Sequence, residues 1–257
     1  MSVLIGRISY VNTDPWFYQW KGDHSWKMIS DSPSQLGQLA IKEQLTAAPL
    51  SIFDYWKIED HYEPLGNWGI SSKEICQSVF IISKKKLTEL SQAHIAATTE
   101  SSTSIQLAKL IFEKKYNLET KIQRGFQDTD MIRLVIGDEA LKIGTKRNEK
   151  EWPYIYDLAT EWWQWHKKPF VFARWVIKKN IQPQLKNDIL QAVALSFSSG
   201  MDRIKEMSAE ASRKTGVSAH QIENYIKGFK YNLTSEESEG IQLFRNQINQ
   251  NKTMALI

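Results

Sequence analysis

Asn12, Thr13 and Asp14 stand together where an apolar strand pattern breaks off after Tyr10, and Pro15 follows at once. Asn, Thr and Asp are good helix N-caps, and Pro suits a first helical turn. The segment reads as strand, polar turn and helix start. That order aims unpaired backbone N–H groups and the positive end of a helix dipole at one point, where an anion could sit. A second cluster, Thr98-Thr99-Glu100-Ser101-Ser102-Thr103-Ser104, joins a strand to a helix and carries six hydroxyls in seven residues. Capping the helix takes one hydroxyl. Ser102, Thr103 and Ser104 are the candidates for it, and the surplus suits a carboxylate or phosphate and needs no Arg or Lys. Ser71-Ser72, Gln77-Ser78 and Gly137-Asp138 add polar strand ends, the places where α/β sheets bind ligands.

Other chemistries lack their signatures. No glycine-rich phosphate loop, no G-x-G-x-x-G and no G-x-S-x-G occurs. His24, His61, His94, His166 and His220 form no metal-ligand spacing with Cys76, so no metal and no cofactor is expected. Cys76, the single cysteine, reads as a small buried residue.

The elements that must position these residues alternate, as in α/β architecture. Strands are expected at Val3–Ser9, Trp26–Ser30 and Thr46–Leu50, with helices beginning at Asp14 and Ser32. Ser32-Pro33-Ser34-Gln35 offers a cap, a first-turn Pro and a reciprocal Gln. Cys76–Ser83 and Phe170–Ile177 read as long strands buried on both faces. Between them lies a second α/β block: strands at His94–Thr98, Lys121–Arg124, Leu134–Ile136 and Tyr154–Asp157, helices at Ser102–Tyr116 and Glu161–Lys167. After Ile177 the pattern is wholly helical, over Pro183–Met207, Ser218–Lys227 and Ser235–Gln250.

A chain that leaves one block, builds a second and returns is a two-lobed, hinged α/β fold, with the long strands as crossovers. The expected lobes are residues 1–83 with 178–257, and residues 84–177, with the ligand cleft between them. A single doubly wound sheet with a helical tail is the alternative.

The chain has 257 residues, 42% hydrophobic and 24% charged, and a net charge of +4 with both signs interspersed. This is globular composition. The basic clusters form no long stripe, so no nucleic-acid partner is expected. No apolar run reaches the ~20 residues of a membrane helix, and the start lacks the pattern of a leader. The expectation is a cytoplasmic protein without membrane insertion and of open oligomeric state. Of its ten tryptophans, most are expected in the core.

The segment Gly6-Arg7-Ile8-Ser9-Tyr10-Val11-Asn12-Thr13-x-Pro15 resembles the opening of the chorismate dehydratase family of the futalosine route to menaquinone. The resemblance continues through Ala47-Ala48-Pro49-Leu50-Ser51-Ile52-Phe53-Asp54-Tyr55, Ile70-Ser71-Ser72, Gln77-Ser78-Val79, the 98–104 loop and Ile136–Leu141. It ends with Tyr156-Asp157-Leu158, Glu161-Trp162 and Pro169-Phe170-Val171-Phe172-Ala173-x-Trp175. It implies a type II periplasmic-binding-protein-like fold used as an enzyme. The implied reaction removes water from dianionic chorismate, giving 3-[(1-carboxyvinyl)oxy]benzoate. Asn12 and Ser78 match active-site positions of the family. Tyr10, Thr13, Ser51, Ser102, Thr103, Ser104, Gly137 and Asp138 are the expected substrate contacts. The resemblance also implies that the substrate's own enolpyruvyl carboxylate takes the proton. One departure stands out: the family's Asp-Gly-Pro-Val turn is replaced by Lys73-Glu74-Ile75-Cys76. A non-catalytic binder of a small carboxylate anion on the same fold is the competing reading.

Overall fold

The computed structural model describes residues 2–146 and 148–254. In chain order the elements begin with β1 (Leu4–Ile8), a single turn at Val11–Thr13, α1 (Asp14–Phe17), β2 (Lys27–Asp31), α2 (Pro33–Ile41), β3 (Ala47–Ser51) and α3 (Ile52–Trp56). Next come β4 (Tyr62–Ser72), β5 (Val79–Ser83), β6 (Gln92–Ala97), α4 (Thr103–Leu110), β7 (Glu119–Arg124), β8 (Ile132–Ile136), α5 (Gly137–Thr145) and β9 (Tyr154–Asp157). The chain closes with α6 (Leu158–His166), β10 (Phe170–Lys178), α7 (Pro183–Asp202), α8 (Ile204–Thr215), α9 (Ala219–Lys227), β11 (Lys230–Asn232) and α10 (Ser235–Met254).

Two units divide the chain. The first holds residues up to Ile70 together with Phe172–Asn232; the second holds Ser71–Val171 and the chain from Leu233 onward. In the first, the sheet order is β11-β4-β10-β3-β1-β2. β1 runs parallel to β2 and β3, and β10 antiparallel to β3. All five residues of β3 are buried, as a central strand covered on both faces requires. Trp16 anchors this core, edge-on to Trp175 at 5.9 Å and to Tyr231 at 5.2 Å between centroids. In the second, the order is β7-β6-β8-β5-β9. β6 is parallel to β7 and β8, while β5 is antiparallel to β8 and β9. Trp162, Phe170 and Phe244 pack edge to face at 4.9–5.8 Å. Among the described residues, no helix is long and apolar enough to cross a membrane.

The expected lobe boundaries move. β5 pairs along its whole length with β8 and over Phe80–Ser83 with β9, so it belongs to the second sheet and is not a crossover. The chain changes unit inside β4, a strand absent from the sequence reading, and again inside β10. The tail is divided too. α10 sets Phe244 against Trp162 and Phe170 and so joins the second unit, and β11 interrupts the wholly helical reading by extending the first sheet beside β4. α1 is a single turn of four residues, ended by extended Tyr18 and by Gln19 at φ 60°.

Candidate active site

In the first unit, the parallel strands β1 and β3 end on one sheet edge, where antiparallel β10 begins. Thr13 locks the turn after β1. Its hydroxyl donates to the Ile8 carbonyl at 2.6 Å and lies 2.9 Å from that of Tyr10, and the side chain is fully buried. Neither Tyr10 nor Thr13 makes a side-chain cap bond, and a one-turn helix has little dipole, so the anticipated N-terminal anion trap is weak. What the turn offers instead is Asn12. Its carbonyl is pinned by Tyr231 Oη at 2.9 Å, while its side-chain Oδ1 is buried without a hydrogen-bond partner. An orphaned buried acceptor costs about 1–3 kcal/mol. Rotating the amide exchanges donor and acceptor, so Asn12 can meet a hydroxyl or a carboxylate.

Tyr10 packs its ring against the core around Leu36, Leu50 and Ala173. Ser51 is spent on capping α3: it accepts from the Asp54 N–H at 3.2 Å and donates to Asp54 Oδ2 at 2.7 Å. Asp54 in turn binds Lys57 at 2.7 Å. Asp14 pairs with Arg7 at 2.7 Å; burial nevertheless raises its carboxyl above the ordinary range, with Arg7 opposing.

In the second unit, β6, β8 and β9 end on one sheet edge, where antiparallel β5 starts. This edge gathers the 98–104 loop, Gly137-Asp138, Asp157 and Ser78. Ser78 is buried; its hydroxyl donates to the Cys76 carbonyl at a long 3.3 Å, and its own carbonyl accepts from Gly137 N–H at 2.9 Å. Gly137 sits at φ 64°, a conformation that favours glycine, and its N–H is thereby used within the fold. Asp138 follows in the first turn of α5, where a carboxylate complements the helix dipole.

Asp157 organises the turn before Ser78. One carboxylate accepts from Cys76 N–H at 3.1 Å and Gln77 N–H at 2.7 Å, and caps α6 through Ala159 N–H at 2.9 Å and Thr160 N–H at 3.2 Å. Gln77 is held at φ 59°, where a side chain is strained. Burial raises the Asp157 carboxyl, with the backbone donors opposing. Cys76 lies buried with Sγ 3.3 Å from Asp157 Oδ1; burial first, and Asp157 second, push its thiol well above the ordinary range, so it is no nucleophile. The departing segment is tied down as well. Ser72 Oγ donates to the Ile75 carbonyl at 2.6 Å and Thr160 Oγ1 to the Glu74 carbonyl at 2.7 Å, so side-chain bonds replace the lost Gly and Pro.

In the hydroxyl loop the cap of α4 is Ser101, whose Oγ accepts from Ser104 N–H at 3.0 Å, while Ser102 makes no side-chain cap bond. Thr103 and Ser104 are buried in the first turn of α4. Arg124 donates to the Thr99 carbonyl at 3.2 Å, which brings a cation to a loop expected to work without one. Two further features lie outside the expected catalytic residues and substrate contacts. Ser71 at the end of β4 has a fully buried hydroxyl without a partner, and its motif was the only signal. Asp157 was visible only as part of Tyr156-Asp157-Leu158. Among the described residues, no group of three or more His, Cys, Asp or Glu could hold a metal ion.

Comparisons with known proteins bear on both units at once. A curated chorismate dehydratase from Thermus thermophilus is 25% identical, over 94% of this chain and 93% of its own length. Solved structures share the fold. A protein from Archaeoglobus fulgidus gives a TM-score of 0.78 at 14% identity, covering 100% of this chain and 98% of its own. The periplasmic aliphatic sulphonate binding protein of Escherichia coli gives 0.63 at 11% identity, covering 98% of this chain and 88% of its own. The fold is therefore periplasmic-binding-protein-like α/β. A protein-family model described as menaquinone biosynthesis matches residues 3–250. With that match running through both units, the chain belongs to the menaquinone-biosynthesis family.

Proposed function

We propose that this protein is a carbon–oxygen hydro-lyase that converts chorismate to 3-[(1-carboxyvinyl)oxy]benzoate, in the cytoplasm. The observation that carries this reading is the similarity to a chorismate dehydratase over 94% of the chain. Asn12 in the first unit and Ser78 in the second are the proposed catalytic residues. The elimination breaks a ring C–H bond and the neighbouring C–OH bond; the proton passes to the enolpyruvyl carboxylate, which hands it on to the departing hydroxide so that the two leave as water. Aromatisation supplies the driving force, so the protein needs no strong base. It must orient the ring, support the departing hydroxyl and exclude water. The amide of Asn12, whose Oδ1 has no protein partner, stabilises developing charge through its N–H donors, and Ser78, whose present hydrogen bond is long, turns its hydroxyl to the leaving oxygen.

The remaining contacts divide by how their polar atoms are used. Ser102, Thr103 and Ser104 receive a carboxylate at the start of α4. Tyr10, Thr13, Ser51, Gly137 and Asp138 shape the two sheet edges, most of them through bonds to the protein itself. The test is to incubate purified protein with chorismate and follow absorbance and mass. Loss of one water with appearance of the aryl enol ether is expected. Unchanged chorismate accompanied by a thermal shift would overturn the lyase and leave a carboxylate-binding protein.

A further inference from the structure

Arg174 lies in β10, opposite Leu50 in the register with β3, one position from the pair that joins Ala173 to Ser51. It sits on the edge of the first sheet that carries Asn12 and Ser51, and it is half-buried. Its guanidinium carbon rests 5.7 Å from the centre of the Tyr55 ring in α3. Tyr55 and Tyr10 border the same core cluster. Two other half-buried arginines contrast with it. Arg7 is paired with Asp14 at 2.7 Å and Arg133 with Asp130 at 3.1 Å. Arg174 has no carboxylate partner among the described residues, and its Nε is buried without a hydrogen bond. Burial lowers its pKa, with only the Tyr55 ring opposing.

A half-buried cation with an orphaned donor is costly unless something anionic completes it. The guanidinium fork fits a carboxylate bidentately and stacks on aromatic faces, so Tyr55 presents it in a fixed plane.

We infer that Arg174 receives one carboxylate of the substrate and sets the preference for a dianion. The inference rests on the chorismate reading, and two probes separate their failures. Steady-state kinetics with chorismate and calorimetric binding of isophthalate, an aromatic dicarboxylate lacking the enol ether, are measured for wild type, Arg174→Gln and Arg174→Lys. The expected result is a KM raised about 10- to 100-fold by Gln, the worth of a charge-assisted hydrogen bond, with kcat within about threefold. Lys restores part of the affinity by keeping the charge without the fork, and reads the same split should the Gln variant fold poorly. The melting temperature of Arg174→Gln does not fall, because no internal ion pair is lost. An unchanged KM, or a lowered melting temperature with normal KM in the folded fraction, overturns the inference. If wild type leaves chorismate untouched, the lyase reading fails and isophthalate decides. Binding lost in Arg174→Gln upholds a carboxylate site at Arg174; equal binding, or none by wild type, overturns it.

Discussion

The end of β1 in the first unit and the start of β5 in the second are built in opposite ways. At Asn12 the backbone is fixed by a single long-range bond from Tyr231, and the side chain is left with a buried atom that no protein group answers. At Ser78 the backbone is fixed by a dense network centred on Asp157, which serves four N–H groups on two segments. One end leaves a buried polar atom unsatisfied. The other holds a strained turn whose geometry is enforced from outside. Substitutions should therefore separate stability from function at Asn12 and at Ser78 itself, and join them at Asp157.

The largest effect is expected at Asp157→Asn. All its partners are donors, so an amide can serve either the α6 cap or the 76–77 turn, but not both. Leaving two N–H groups unanswered costs about 2–4 kcal/mol. Both melting temperature and turnover should fall, the second because Gln77 no longer holds Ser78 in place. A variant with native stability and native kcat would break the contrast. Ser78→Ala comes next. Among the described residues its only side-chain bond is the 3.3 Å contact to Cys76, so stability should barely change while kcat falls about 10- to 100-fold. If the variant unfolds and its folded remainder is fully active, Ser78 is structural.

Asn12→Asp probes the sparse end. It places a carboxylate where an anion is proposed to bind, so KM should rise about tenfold or more, and the rise should shrink as pH is lowered and the carboxyl protonates. Wild-type kinetics would remove Asn12 from the site.

How far the sequence revealed these two ends differs for a physical reason. Asn12 and the 98–104 loop were legible because strand-to-helix turns need particular local residues, and local rules read locally. Even there the wrong hydroxyl was favoured: Ser101 caps α4, since the helix starts at Thr103 and the serine two residues before it reaches the first free N–H groups. Asp157 as an organiser was not legible, because its partners at Cys76 and Gln77 are about eighty residues away in sequence. Arg174 was not legible because its meaning lies in what is missing around it. The crossover was misplaced for a similar reason. Val79–Ser83 is apolar on both faces, and periodicity cannot tell a central strand of one sheet from a strand linking two. β4 went unread because Tyr62–Ser72 mixes Pro, Gly, Asn and Glu, which are poor strand formers, and tertiary pairing overrides that preference.

The smallest effect tests whether the contact between Ser78 and Gly137 belongs to the turn network or merely adjoins it. Gly137 sits at φ 64°, so Gly137→Ala costs roughly 1–2 kcal/mol of backbone strain. Relieving that strain swings its N–H away from the Ser78 carbonyl, now 2.9 Å distant, and loosens Ser78 from the β8 side. If Asp157 alone holds the turn, kcat should stay near wild type and only the melting temperature should drop. If the β8 contact shares the task, kcat should fall by about a few-fold as well, and combining Gly137→Ala with Asp157→Asn should cost more turnover than the two single effects predict together. Strict additivity in that double-mutant cycle would make Asp157 the sole support of the Ser78 turn.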